Sequence, residues 1–413
     1  MSKWPRLSAS GAIGAIFMLA LLVRLVMIAV WAGAGQEGRL SGDSDQLYQI
    51  AESLVEGKGF ELYGAPTSRR GPLYPLLIAA WLKAGFYPSG LELAQALLGA
   101  FSCVLLFLIA KHLFRTSVGL LAAFLFSFDY LLVKQTVYIL PETLFIFFIL
   151  TSFYFLFKSQ TDKRLLGSLA AGLFAGLAVL TKETLSLYFP LMVIYFFMEK
   201  KGWRRAILKS LIFLAAFTST LAPWLVRNKQ VYRDGIFLTI NAGHVLYLGN
   251  NPQVTQRIHG GDWINEDDTQ YPKDDPALPP LLSLEADRYL MGKAIDYIRR
   301  HPVVFFKNMG IKALRLWFPF YSKAQVLPKW IMTVSYLIVI PCSIIGLLLT
   351  RGRWREFLPI YLLVAYVTFI HSVTIPGIRY RYPVMPFLMI FAAYGMLEAW
   401  NQFRGRAGRL VVK

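Results

Sequence analysis

Residues 9–32 read ASGAIGAIFMLALLVRLVMIAVWA, an apolar run interrupted by a single charge, Arg24. A helix rises about 1.5 Å per residue, so about 20 residues cross the roughly 30 Å apolar core of a bilayer. The run is long enough to span and lacks a small-residue cleavage site, so it reads as a membrane helix and not as a removable leader. Comparable runs recur at 91–110, 117–133, 138–157, 165–180, 184–198, 206–226, 330–350, 357–373 and 383–400. In lipid, backbone N–H and C=O groups need partners within the structure, which restricts spanning segments to helices or closed barrels, and runs of this length select helices. The 413-residue chain, with mean hydropathy +0.49, is therefore expected to be an all-α polytopic membrane protein.

The charge pattern orients it. A net charge of +19 invites a nucleic-acid reading. With Lys3 and Arg6 inside and the spans alternating, however, 19 basic residues against four acidic ones fall in the inner loops and tail. The positive-inside rule thus accounts for about +15 of the excess, and no nucleic-acid partner is called for. The same reasoning decides PLYPLLIAAWLKAGFYP (72–88): a crossing there would put every later basic loop outside. It reads as an interfacial helix anchored by Trp81 and Lys83. HPVVFFKNMGIKALRLWFPF (301–320), with Lys307, Lys312 and Arg315 on one helical side, reads the same way.

The organisation expected from these readings has five parts. They are a first transmembrane helix (1–32), an outer catalytic loop with interfacial helices (33–90), a transmembrane bundle (91–226), a large outer region with an interfacial helix (227–329), and C-terminal transmembrane helices with a basic cytoplasmic tail (330–413). The second outer region includes the acidic, proline-rich DWINEDDTQYPKDDPALPP (262–280). Cys103 and Cys342 lie in spans and read as packing residues. His244, His259 and His371 show no ligand spacing. No cofactor is indicated, a divalent metal included.

Chemistry concentrates on the outer face, where nucleotides are absent. A group-transfer enzyme there needs an activated donor delivered through the membrane, and a polyprenyl-phosphate sugar meets that need. Its phosphate calls for cations at the membrane boundary. Arg69, Arg70, Lys182, Arg227, Arg379 and Arg381 are placed near that one plane by the topology, although span-end Lys and Arg also serve as snorkelling anchors. A hydroxyl acceptor calls for a general base, and Asp43 and Asp45 in RLSGDSDQLYQIAESLVEGKGF (39–60) are ionised at neutral pH. Asp43 or Ser44 also suits the N-cap of the following helix. Glu142, after Pro141 at a helix start, is a further site candidate, and Asp129 a weaker one. The amides of LGNNP (248–252), Asn250 among them, suit sugar hydroxyls, or else an Asn-Asn-Pro turn.

Six stretches in order carry a resemblance. GDSDQLYQIAESLVEGKGF, RRGPLYPLLIAAW, LTKETL, APWLVRNKQVYRDGIFLTINAGHVLYLGNNP, EADRYLMGKAIDYIRRHPVVFF and RYRYPVMPFL resemble landmarks of the family-39-like GT-C glycosyltransferases. That group includes the protein O-mannosyltransferases and the lipid A aminoarabinose transferase. The resemblance covers essentially the whole chain and implies a GT-C-type bundle of about 10–12 transmembrane helices with outer interfacial helices and loops. It further implies an inverting sugar transfer from a polyprenyl phosphate such as undecaprenyl phosphate, in a cavity on the periplasmic or exterior face of the inner (plasma) membrane. The acceptor would be an envelope lipid (lipopolysaccharide included), glycan or protein. Asp43 matches the family's catalytic aspartate, with Asp45 the alternate and Tyr48 at the shifted tyrosine position. Arg70, just before the Gly71–Pro72 step, matches the residue expected on the donor phosphate. Two rivals are a transporter or flippase for a lipid-linked saccharide and a non-catalytic membrane scaffold. Transporters tend to show repeats and midplane polar groups, whereas this chain loads one face.

Overall fold

The first apolar run forms α1 (Ala9–Trp31), and its residues divide by helical face. Ala12, Ile16 and Ala20, four apart, are buried, while Met18, Leu22 and Val30 are exposed. Apolar side chains face outward along much of the bundle, as they do where the surroundings are lipid. The computed structural model describes residues 9–32, 42–161, 165–198, 202–233, 238–259, 275–318 and 326–410. Most of the acidic stretch expected at 262–280 lies outside the described residues, as do Lys163, Arg164, Lys200 and Lys201 of the basic loops.

After α1 come α2 (Asp43–Val55), a two-stranded hairpin of β1 (Glu61–Leu62) and β2 (Ala65–Pro66), and α3 (Leu73–Lys83). The bundle continues with α4 (Ser89–Leu113), α5 (Thr116–Phe128), the short α6 (Tyr130–Lys134), α7 (Glu142–Thr161) and α8 (Leu166–Thr181). Then follow α9 (Tyr188–Leu191), α10 (Val193–Phe197) and α11 (Trp203–Tyr232). A non-spanning group comprises α12 (Ala242–Gly249), α13 (Pro252–His259), α14 (Leu284–Arg300) and α15 (Pro302–Leu316). The chain ends with α16 (Val326–Leu349), α17 (Leu358–Val373) and α18 (Met385–Leu410).

Among the described residues, five helices are long and apolar enough to cross a membrane: Gly11–Trp31, Ser89–Leu113, Glu142–Gln160, Trp203–Tyr232 and Trp330–Leu349. The protein is a multi-pass membrane protein built almost wholly of helices. α8 lies between α7 and α11, α4 between α1 and α5, and α18 against α16 and α5. The closeness of α8 to α11 has a local cause in GLFAG (172–176): a Cβ on Gly172 would meet the Phe213 carbonyl oxygen at 2.2 Å.

Two expectations change, and a third, the short non-crossing helix in 72–88, holds except for its Trp81 anchor. The span expected at 184–198 is broken into a 3₁₀ turn (Glu183–Leu185), α9 and α10. Pro190 lacks an N–H and prevents one continuous helix through the run. The helix within 72–88, α3, has 11 residues, about half the length needed to cross. Trp81 is half-buried, and a Cβ on Gly90 would strike its ring at 2.4 Å, so packing against the α4 start holds it there. In 301–320 two of the three basic residues turn inward, while Lys307 stays exposed. Lys312 is buried, donating to Asn250 Oδ1 and the Val373 carbonyl at 3.3 Å each, and Arg315 donates to the Ile258 carbonyl. The exposed stripe of α15 sets Val303, Phe306 and Leu314 beside Lys307.

Candidate active site

α2, α3 and the α12–α15 group collect at one end of the bundle, and the site forms beneath them. Asp43 is the first residue of α2; Gly42 holds the cap position, and no side chain caps the helix there. The capping role expected for Asp43 or Ser44 is therefore absent, which leaves the Asp43 carboxylate for other partners. It takes two. Arg70 Nη2 donates to Oδ1, and Arg379 Nη2 donates to Oδ2 at 2.6 Å. Arg70 also donates through Nε to Gln46 Oε1, one turn along α2, at 3.1 Å.

The arginines reach Asp43 for local reasons. Arg70 sits in the segment leading into α3, and that segment lies directly on the end of α8. A Cβ at Gly71 would come within 2.4 Å of the Leu180 carbonyl oxygen, so only glycine allows the approach. Arg379 belongs to a 3₁₀ turn (Ile378–Arg381) between α17 and α18. Burial alone would push the Asp43 carboxyl up, but the charges of Arg70 and Arg379 outweigh it and hold the group well below the usual carboxylate range.

Beside this clamp lies a second pair. Lys182, at the extended residue where α8 ends, donates to Glu142 Oε1 at 2.9 Å. Glu142 opens α7 and is 3% exposed. These two residues, Arg379, His371, Tyr380 and Tyr382 line one cleft. Lys182 and Arg379 both approach the Tyr380 ring, at 5.5 and 5.4 Å, and His371 stacks on that ring at 4.2 Å. Asp43, Arg70, Arg379, Lys182 and Glu142 are thus brought together from five separate parts of the chain.

Other candidates are placed elsewhere. Arg381 is buried on the far side of its turn, donating to the Leu316 and Phe318 carbonyls and lying 4.1 Å over the Tyr336 ring. A 3₁₀ helix turns about 120° per residue, so positions 379 and 381 cannot face one way. Arg69 is buried against His244, with Nη2 2.9 Å from Nε2. Burial, Arg69 and Arg70 push the His244 pKa down to about 3. Arg227 donates to the Thr67 and Phe60 carbonyls at 2.7 and 3.0 Å and so holds the hairpin loop. Asn250 is buried, donating to the Leu246 and Val373 carbonyls and accepting from Lys312, which leaves it unsuited to a sugar hydroxyl. Tyr48 donates to Glu52 and sits against Tyr87. Asp45 accepts from the Tyr63 hydroxyl at 2.7 Å. Asp129 caps α6 by accepting from the Leu132 N–H at 3.0 Å.

Gln46, His371 and Tyr380 were not expected at the site. Tyr380, between two arginines in RYRY, offered the only legible signal. Among the described residues no group of three His, Cys, Asp or Glu could hold a metal ion.

Comparison with known proteins bears on the fold. The family model described as dolichyl-phosphate-mannose-protein mannosyltransferase matches residues 69–226, from Arg69 to the end of the span before Arg227. The archaeal oligosaccharyltransferase of Archaeoglobus fulgidus in its apo form superposes with a TM-score of 0.60 at 12% identity, over 96% of this chain and 52% of that one. The same enzyme, AglB, in complex with an inhibitory peptide and a dolichol-phosphate gives 0.57 at 11% identity, over 97% and 52%. An uncharacterised protein of Aquifex aeolicus is 27% identical over 173 residues, 40% of this chain and 34% of its own length. The chain thus spans about half the length of the solved structures it matches and about a third of that relative. The chain shares its fold with that archaeal oligosaccharyltransferase.

Proposed function

We propose that this protein is a membrane glycosyltransferase. It moves a sugar from a polyprenyl-phosphate carrier, such as undecaprenyl phosphate, to a hydroxyl of an envelope lipid, glycan or protein. The reaction takes place at the periplasmic or exterior face of the inner (plasma) membrane. The observation that carries the reading is the carboxylate of Asp43 held between Arg70 and Arg379, with Lys182 and Glu142 in the adjoining cleft. The mannosyltransferase family match over 69–226 and the dolichol-phosphate bound by AglB support a lipid-linked donor.

The chemistry follows from the charges. The donor phosphate enters the cleft and takes hydrogen bonds from Arg379, Lys182 and Arg70. As those guanidiniums turn from Asp43 to phosphate, the carboxylate loses the charges that suppress its basicity. Asp43 then accepts the proton of the acceptor hydroxyl. The acceptor oxygen forms a bond to the anomeric carbon as the bond from that carbon to the phosphate oxygen breaks, with inversion. The electron pair leaves on the phosphate, whose second negative charge the same cations stabilise. Glu142 keeps Lys182 in place throughout.

Purified protein with polyprenyl-phosphate sugars and a panel of envelope acceptors tests this directly. Transfer by wild type and its loss in Asp43→Asn, with donor still bound, is the expected result. Donor that crosses the bilayer of a proteoliposome unchanged, with no transfer, would replace the enzyme by a flippase.

A further inference from the structure

Tyr63 and Gly64 form the two-residue loop between β1 and β2, with φ of 52° and 81°. Two positive φ values in succession define a type I′ turn, whose first central position favours Asn or Asp because a short side chain tolerates the left-handed region. A tyrosine there is strained. Packing does not explain it, since the Tyr63 side chain is 60% exposed. Nor does the hairpin need it for anchorage. Arg227 fixes the Phe60 and Thr67 carbonyls, and the Tyr232 hydroxyl donates to the Pro66 carbonyl at 3.3 Å.

What Tyr63 does contact is Asp45, by the 2.7 Å hydrogen bond from its hydroxyl. Asp43 and Asp45 are two residues apart on α2, about 200° around the helix, so one carboxylate meets the arginines while the other meets the hairpin. A local rule is broken where an exposed aromatic ring and an exposed-side carboxylate are set together, two residues from Asp43. Departures of this kind are expected where function and not folding selects the residue.

We propose that the Tyr63 ring and the Asp45 carboxylate form a subsite for a saccharide acceptor, an inference that rests on the glycosyl-transfer reading above. The two groups match the two surfaces of a sugar. A pyranose ring presents a C–H face that lies on an aromatic ring, and its hydroxyls donate to a carboxylate. A peptide acceptor would look instead for backbone donors and acceptors, and a simple lipid for an apolar groove.

The test uses the full chain in nanodiscs, with maltotriose and chitotriose as probes, read by saturation-transfer NMR and by melting temperature. In wild type the sugar ring protons take up saturation. In Tyr63→Asn that uptake falls at least about fivefold, which corresponds to roughly 1 kcal/mol, while the melting temperature holds or rises because Asn suits the turn. Tyr63→Phe keeps ring and turn and retains most of the uptake, which separates ring loss from misfolding. Asp45→Ala also loses it. No uptake in wild type, or unchanged uptake in Tyr63→Asn, overturns the subsite. So does Tyr63-dependent uptake by a Thr-containing hexapeptide in place of both sugars. Consumption of a polyprenyl-phosphate sugar is followed separately. Tyr63-dependent sugar contact without donor consumption leaves the subsite standing and removes the transferase reading; donor consumption without sugar contact does the reverse.

Discussion

Arg379 Nη2 donates to Asp43 Oδ2 at 2.6 Å across 336 residues of chain. With Arg70 on the other oxygen, both carboxylate oxygens of the candidate base are engaged.

Replacing that carboxylate separates chemistry from binding. Asp43→Asn should lower kcat by about 10²–10⁴-fold, the usual range for losing a general base. Donor affinity should hold or tighten, because two arginines lose an anionic partner. Asp45→Asn should leave kcat within a few-fold and raise the acceptor KM instead. Single-turnover transfer assays decide the matter, and the opposite ranking would move the base to Asp45.

The Asp43 clamp also has a pH signature. The folded group titrates well below its unfolded value of about 3.9. Its contribution to stability is therefore fully present above that value and is lost only as pH falls below it. The melting difference between wild type and Asp43→Asn should stay flat from pH 8 to 5 and shrink below about pH 4. A difference that changes near pH 6–7 would show that the clamp is absent in solution.

His244 behaves differently. Its folded pKa of about 3 lies below the unfolded value of about 6.5, so the unfolded chain binds the extra proton in between. Stability should fall as pH drops from 6.5 towards 3, by at most about 1.4 kcal/mol per unit. His244→Gln should flatten that slope, as read by thermal melts across the range.

Gly71→Ala tests the backbone contact. The added methyl must displace the Leu180 carbonyl or the segment carrying Arg70, at a cost of about 1–3 kcal/mol. Donor affinity should fall with it, since Arg70 moves. A variant with wild-type melting and wild-type donor affinity would show that the approach is looser than described.

The Glu142–Lys182 pair is partly buried, with side-chain exposures of 3% and 19%. Lys182→Met alone leaves the buried Glu142 carboxylate with the Arg379 charge but without its hydrogen-bonded cation and should destabilise by up to about 3–5 kcal/mol. Adding Glu142→Gln should recover most of that stability without recovering transfer. Recovery of both would make the pair structural only.

The readable part of this molecule was the part governed by hydropathy. Eight of the ten apolar runs reappear as the continuous helices α1, α4, α7, α8, α11, α16, α17 and α18, five of them (α1, α4, α7, α11 and α16) long and apolar enough to cross, while 117–133 breaks at Asp129 into α5 and α6. Asp43, Arg70, Arg379, Lys182 and Glu142 could be placed near one plane by topology. That they pair as Arg70–Asp43–Arg379 and Lys182–Glu142 depends on tertiary approach, which spacing does not encode. Arg381, Arg227 and Asn250 show the limit. Each has the right chemistry at the right depth, yet each is committed to backbone carbonyls. The strained Tyr63 carries no periodic signal at all, since an exposed Tyr-Gly pair looks like any polar loop.

Arg70, Lys182 and Arg379 hang from three different carriers: the segment before α3, the end of α8, and the turn after α17. Their mutual spacing is therefore not a property of one rigid element but of how helices lean in the bilayer. Changing hydrocarbon thickness by a few ångströms alters helix tilt at modest cost. The cationic grip on a phosphate would then loosen or tighten with acyl-chain length, making the surrounding lipid a regulator of turnover that acts without binding at any pocket.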